Sequence, residues 1–204
     1  FHRANLCLRP NSQVYQEGRI NMKTNTTTKT RVTQSAKMRY VTLTGLMAAM
    51  IALMTAYICH IPTGINGGYI HFGDSLIYIA AALLPTPYAL AAAAIGGGLA
   101  DLMTAPMWAP ATIIIKMLIT IPFTNKPAKI ITPRNVIATV IAYFISGICY
   151  FFAEYLLFGS FGSAFIASMS GSLIQSGGSA VFFIIFGLAL DKVHIKGRLN
   201  STLG

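Results

Sequence analysis

Beyond residue 40 the chain is written in blocks: long apolar runs almost free of charge, divided by short segments of Pro, Gly, Asn and Ser. A helix rises 1.5 Å per residue, so a run of about 20 apolar residues matches the roughly 30 Å hydrocarbon layer of a bilayer. Residues 41–60 predict a first span, followed by a turn-rich loop with Pro62, Gly64, Asn66, Gly67 and Gly68. A second span is expected at residues 69–84, ending at Pro85-Thr86-Pro87, and a third at 88–103. A fourth is expected at 108–123, where Pro106 and Pro110 are tolerable near the first turn. The polar loop NKPAKIITPR, a fifth span at 136–158, the turn GSFGS and a sixth span at 164–190 complete the pattern. The expected fold is an all-α membrane protein with six transmembrane helices. Its middle spans are short, which limits their tilt or makes one partly re-entrant.

Composition narrows the class. The chain is 54% hydrophobic and 10% charged, against about 25% charged in a soluble domain. Its net charge of +10 would suggest nucleic acid in a soluble protein, but the positions of the charges argue for topology instead. Eight of the fifteen Lys and Arg residues precede Val41, and Lys126, Lys129, Arg134, Lys192, Lys196 and Arg198 fall in one loop and the tail. By the positive-inside rule these segments share the cytoplasmic side, so both termini are expected there. Residues 1–40 read as a disordered basic arm, with residues 1–21 expected to be an upstream extension before Met22-Lys23. Residues 41–191 read as the membrane domain and 192–204 as a basic cytoplasmic tail. The first apolar run is too long for a signal peptide and lacks a small-residue cleavage site. Cys7, Cys59 and Cys149 are widely spaced and imply neither a disulfide framework nor a metal site.

Candidate chemistry starts from Asp74, Asp101 and Lys116, ionisable groups inside apolar sequence where each needs a partner or a water-filled cavity. In the fifth span Tyr143, Ser146, Tyr150 and Glu154 recur at helical spacing, and in the sixth Ser168, Ser172, Gln175, Ser176 and Ser179 do the same. Both polar faces lie in the outer half. A Lys116–Asp101 pair between antiparallel neighbours is within reach, while Asp74 is expected to cap or pair a loop. The expected outward-facing pocket is lined by spans four to six and covered by residues 64–72. Its candidate substrate-binding residues are Trp108, Lys116, Tyr150, Glu154, Ser172, Gln175, Ser176 and Asp101. Duller roles stay open: Lys116 as a structural partner of Asp101 or Glu154, Trp108 as an interfacial belt residue, the serines as helix-packing groups. His60 and His71 have no second ligand at metal-binding spacing, so no metal or cofactor is expected.

Ala48, Ala52 and Ala56 in span one form a small-residue ridge suited to docking another subunit, with Gly45 and Ala49 on the adjacent ridge. No GxxxxGK[ST], HExxH or GxSxG occurs, so no catalytic machinery and no ATP hydrolysis by this chain is expected.

The stretches IHFGDSLIYIAAALL, GGGLADLM and WAPATIIIK, with AAMIA in span one, resemble the substrate-binding S components of energy-coupling factor (ECF) vitamin transporters over residues 41–192. The likeness is greatest to the riboflavin and hydroxymethylpyrimidine branch. It implies a multi-pass protein of a bacterial plasma membrane that captures a vitamin or precursor from outside with high affinity. It also implies a transmembrane T component and two cytoplasmic ATPases as partners, Ala48 and Ala52 matching the family's AxxxA contact with the T component, and a pocket formed by the last three helices and the outer loops. The alternative is a stand-alone secondary transporter driven by an ion gradient, with Asp101, Lys116 and Glu154 as a relay; no inverted repeat supports it.

Overall fold

A computed structural model describes residue 34 and residues 36–58, 61–62 and 69–203. The expected arm at residues 1–33, its extension and His60 lie outside the described residues. The helix α1 covers Ala36–Ala56, so the last residues assigned to the arm are already helical. After it come a minimal hairpin of β1 (Ile61–Pro62) and β2 (Tyr69–Ile70), then α2 (Asp74–Leu83), α3 (Thr86–Thr104), a 3-10 turn at Pro106–Trp108, and α4 (Ala109–Leu118). The last elements are α5 (Pro133–Phe158), α6 (Phe161–Lys192) and α7 (Ile195–Leu203). The two strands pair antiparallel, Ile61 with Ile70 and Pro62 with Tyr69.

The chain is helical, as its block pattern predicts, and α1, α5 and α6 are long and apolar enough to cross a membrane. Their outward faces carry Leu46, Leu53, Ile137, Phe144, Phe152, Ile166, Leu173 and Val181 exposed, the apolar coat that lipid requires. The second and fourth predicted spans shrink to helices of 10 residues each. The hairpin and the turn after it consume residues 69–73, and consecutive turns replace helix after Leu118. The tail is a further difference: α6 stops where His194 adopts φ 53°, and the chain restarts as α7.

Local chemistry explains the boundaries. Thr132 caps α5 by accepting from the Asn135 N–H at 3.3 Å, with Pro133 in the first turn, and Gly159 ends the helix at φ 71°. Three glycines set the packing of α3. A Cβ at Gly96 would lie 2.7 Å from the Ala48 carbonyl oxygen of α1, one at Gly97 2.8 Å from Lys116 Cγ, and one at Gly98 2.7 Å from Ile113 Cγ1 of α4. The glycine run therefore lets α3 approach two helices at once, a packing role like that of small residues in membrane bundles.

Short connections between α2 and α3, α3 and α4, and α5 and α6 give the bundle two ends. At one, which we call the loop end, residues 119–132 are tied down. The Asn135 side chain accepts from the Thr124 N–H at 2.9 Å and donates to the carbonyls of Thr124 (3.1 Å) and Ile130 (2.9 Å). The two Asp191 oxygens accept from the N–H groups of Ile130 (2.7 Å) and Ile131 (3.0 Å). Lys196 of α7 donates to the Ala82 carbonyl at the end of α2, at 2.8 Å. Between this end and the hairpin, Tyr78, Phe123 and Phe183 form an aromatic core with centroids 4.8–5.9 Å apart.

Candidate substrate-binding site

The hairpin returns to the bundle through Phe72, whose ring packs on Gly178 of α6 and lies 5.1 Å from the Phe182 ring. His71 Nδ1 accepts from the Gly73 N–H at 3.0 Å, and the Ser75 hydroxyl donates to the Phe72 carbonyl at 2.7 Å, which closes the turn that starts α2. The first residue of that helix is Asp74, a carboxylate at the positive end of a helix dipole. It is docked opposite the middle of α6: Gln175 lies about 21 Å along that helix at 1.5 Å per residue.

There Asp74 meets Lys116. The ammonium donates to Asp74 Oδ1 at 2.6 Å and Gln175 Nε2 donates to Oδ2 at 2.9 Å, with both charged side chains at most 1% exposed. The expected partner, Asp101, is not the one used. The hairpin carries the start of α2 into the bundle, so Asp74 reaches the ammonium first. Asp101 is buried near the end of α3. The stem of Lys116 runs over Gly97, where a larger residue would block it.

Around this pair the predicted polar faces converge. Lys116 Nζ lies 5.7 Å from the centre of the Tyr150 ring, and the Tyr150 hydroxyl is 3.1 Å from Thr112 Oγ1. Trp108 is buried with its ring edge-on to Tyr150, at 6.1 Å and 66°, and 6.2 Å from Phe158. One turn beyond Tyr150, buried Glu154 accepts from the Ser168 hydroxyl at 2.6 Å. Ser172, Gln175 and Ser176 are buried on the face of α6 that continues from Ser168. The structure thus brings Trp108, Lys116, Tyr150, Glu154, Ser172, Gln175 and Ser176 into one cluster spanning α4 to α6, with Asp101 at its edge.

Several buried polar atoms in and next to this cluster make no hydrogen bond among the described residues: Trp108 Nε1, Ser146 Oγ and Ser179 Oγ. The Tyr78 and Ser176 hydroxyls lie near each other but outside hydrogen-bonding geometry. Each such atom costs about 1–3 kcal/mol when it stays unsatisfied, which is unusual in a packed core and ordinary in a site that waits for a ligand.

Sequence reasoning under-weighted Asp74 and did not propose Thr112 as a site residue. The signal was present for both: Thr112 is four residues before Lys116, and Asp74 is the only ionised group on its helix. The alanine ridge of α1 lies largely against the rest of the chain. Ala48 and Ala56 are buried within this chain and Ala52 is half-buried, because Gly96 admits the α1 backbone at Ala48. The exposed small residues of α1 are Gly45 and Ala49 on the neighbouring ridge.

Comparison with known proteins now decides the class. Residues 35–192 match the family model described as ECF-type riboflavin transporter, S component. The chain belongs to this family. The S component is the substrate-binding membrane subunit of an ECF transporter, for a vitamin-like substrate, and is not an enzyme. The chain is also similar to a Pyrococcus woesei protein described as an uncharacterized protein in the gap 3′ region, 28% identical over 152 residues that make up 74% of this chain and 97% of that protein. For this S component the clustered polar groups on α2, α4, α5 and α6 are the candidate for substrate capture. Among the described residues no group of three His, Cys, Asp or Glu side chains could hold a metal ion.

Proposed function

We propose that this S component captures a vitamin or vitamin precursor with a heteroaromatic ring, riboflavin or a pyrimidine precursor among them, at high affinity from outside the cell. The single observation that carries the reading is the set of buried polar atoms without a hydrogen-bond partner among the described residues, Trp108 Nε1 edge-on to the Tyr150 ring and Ser146 Oγ one turn before Tyr150 on α5. An aromatic ligand covers those rings and supplies the missing partners. Lys116 serves mainly to hold Asp74, and through it the start of α2, in place.

In this reading the six helices α1 to α6 lie in a plasma membrane with both termini and the loop end cytoplasmic, as the placement of Lys126, Lys129, Arg134, Lys192 and Arg198 supports. The membrane domain at residues 41–191 then lies between two basic cytoplasmic segments. The hairpin end faces outward, and the described turn at residues 69–73 covers the bound ligand. A T component and two ATPases energise release. The ridge of Gly45 and Ala49, with the exposed edge of Ala52, is the α1 surface open to a T component. Release requires that the inward-facing state bind substrate more weakly, since a partner shifts an equilibrium only by its differential affinity.

The test is mass spectrometry of small molecules released when the protein, purified in mild detergent, is denatured. A stoichiometric vitamin or precursor that rebinds with nanomolar affinity is expected. An empty protein that binds no vitamin tightly would remove the capture role.

A further inference from the structure

The helix α2 is pinned at both ends. At its start the Asp74 carboxylate accepts from Lys116 of α4 at 2.6 Å and from Gln175 of α6 at 2.9 Å. At its last turn Lys196 of α7, itself 3% exposed, donates to the Ala82 carbonyl at 2.8 Å. That carbonyl is among the last four of the helix, which have no intrahelical donor, and a cation there complements the helix dipole as Asp74 does at the opposite end. Between the pins Ile77, Ile79, Ala80 and Ala81 are buried in the apolar core. Apolar contacts are non-directional and packed helices slide past one another in shear, so the axial position of α2 is set by its two polar ends. Asp74 and Ala82 lie about 12 Å apart along the axis at 1.5 Å per residue.

The tail is folded to deliver the second pin. After α6 ends at Lys192, His194 takes φ 53°, a left-handed conformation that side chains disfavour, and its N–H donates to the Asp191 carbonyl at 3.1 Å. The turn sets Ile195 against the apolar core and buries Lys196, whereas Lys192, Gly197 and Arg198 around it are exposed. A buried amine needs a hydrogen-bond partner, which fixes Lys196 to the end of α2. The helix α7 lies past the stretch matched to the S-component family, which ends at residue 192. At the far end of α2, Asp74 follows the turn through Phe72, whose ring packs on Gly178. A shift of α2 along its axis therefore moves that turn as well.

Resting on the capture role and the orientation proposed above, we propose that Lys196 is a positioning residue for substrate retention. From the cytoplasmic side it holds α2 as a strut, which fixes Asp74 and the turn at residues 69–73 over the outer site. Undocking of α7 loosens that turn and lets the substrate leave faster, so the tail helix is a cytoplasmic handle on an outward-facing site.

The test compares the full chain with Lys196→Met and Lys196→Arg in mild detergent, by hydrogen–deuterium exchange and by dissociation of riboflavin. Trp108 is the only tryptophan, so its emission follows the bound probe. Lys196→Met is expected to speed exchange about tenfold at residues 73–78, remote from the substitution, by lowering the free energy of opening that unit. Riboflavin is expected to dissociate about threefold faster, with its association unchanged, since a lost hold acts on the off-rate. Lys196→Arg keeps a donor and is expected to restore both, and Asp191→Ala, which frees only the loop at residues 119–132, is expected to change neither. If Lys196→Met does not fold, Lys196→Gln, too short to reach Ala82, is read in the same way. Exchange that quickens only at residues 80–84 and 193–199, or riboflavin dissociation that stays unchanged, makes Lys196 a local cap and overturns the proposal while the capture role stands. If riboflavin does not bind the wild type, the capture role fails for that vitamin and exchange alone decides: faster exchange at residues 73–78 upholds the strut, and unchanged exchange there overturns it.

Discussion

The two ends of the bundle bury similar polar chemistry and treat it differently. At the loop end the polar side chains are partnered: Asn135 makes three side-chain hydrogen bonds, Asp191 takes two backbone N–H groups, and Lys196 meets the end of α2. Away from it Trp108, Ser146 and Ser179 are buried and, among the described residues, make none. A saturated network holds a shape, whereas an unsaturated one carries a cost that a ligand can remove. On the proposed function, the difference separates residues that build this S component from residues available to its substrate, although both sets are polar and set in apolar helices.

The largest effect that would break this comparison comes from the ion pair that holds the start of α2 in the bundle. Lys116→Met leaves Asp74 buried without its counter-ion and should destabilise the protein by about 3–5 kcal/mol. The double variant Lys116→Met/Asp74→Asn should recover at least half of that loss in thermal unfolding in detergent. If the single and double variants unfold alike, the pair is not a structural unit. Gly97→Val comes next: its side chain collides with the stem of Lys116 and should cost about 1–3 kcal/mol, with Gly45→Val as a neutral control, since nothing lies within 4 Å of a Cβ there.

Two matched variants sharpen the contrast. Asp191→Ala should cost about 1–3 kcal/mol by stranding the Ile130 and Ile131 N–H groups, while substrate affinity stays unchanged. Ser146→Ala should do the reverse, leaving unfolding of the empty protein unchanged or slightly improved and weakening substrate binding about fivefold, the worth of roughly 1 kcal/mol. The smallest effect is a pH dependence. Burial lowers the pKa of Lys196 below its ordinary 10.5, with Asp191 partly opposing the shift. The unfolded chain then holds that proton more tightly, so stability should rise with pH from the folded-state pKa up to about 10.5 and then level off. Lys196→Met should flatten the rise in unfolding measured across that alkaline window.

Much of the helical architecture was legible because membrane helices announce themselves by length and by charge-free composition. The polar faces of α5 and α6 were legible too, since residues three and four apart share one side of a helix whatever surrounds it. The partner of Lys116 was not. Asp101 is close in the hairpin of α3 and α4, whereas Asp74 arrives through a fold of the chain that no local pattern encodes. The exposure of the small-residue ridges of α1 was not legible for a similar reason. Periodicity finds both, but only the position of Gly96 decides which is turned against α3. The short α2 and α4 were over-extended because apolar residues that wrap a turn look like apolar residues that span.

The most direct test of the account is a titration of Trp108 emission with the vitamin released from the denatured protein, in the wild type and in Ser146→Ala and Asp191→Ala. A saturable change at one ligand per chain is expected, with nanomolar affinity that Ser146→Ala weakens and Asp191→Ala does not. Tight binding that leaves Trp108 emission unchanged, or that Asp191→Ala weakens as much as Ser146→Ala, would contradict the placement of the substrate site.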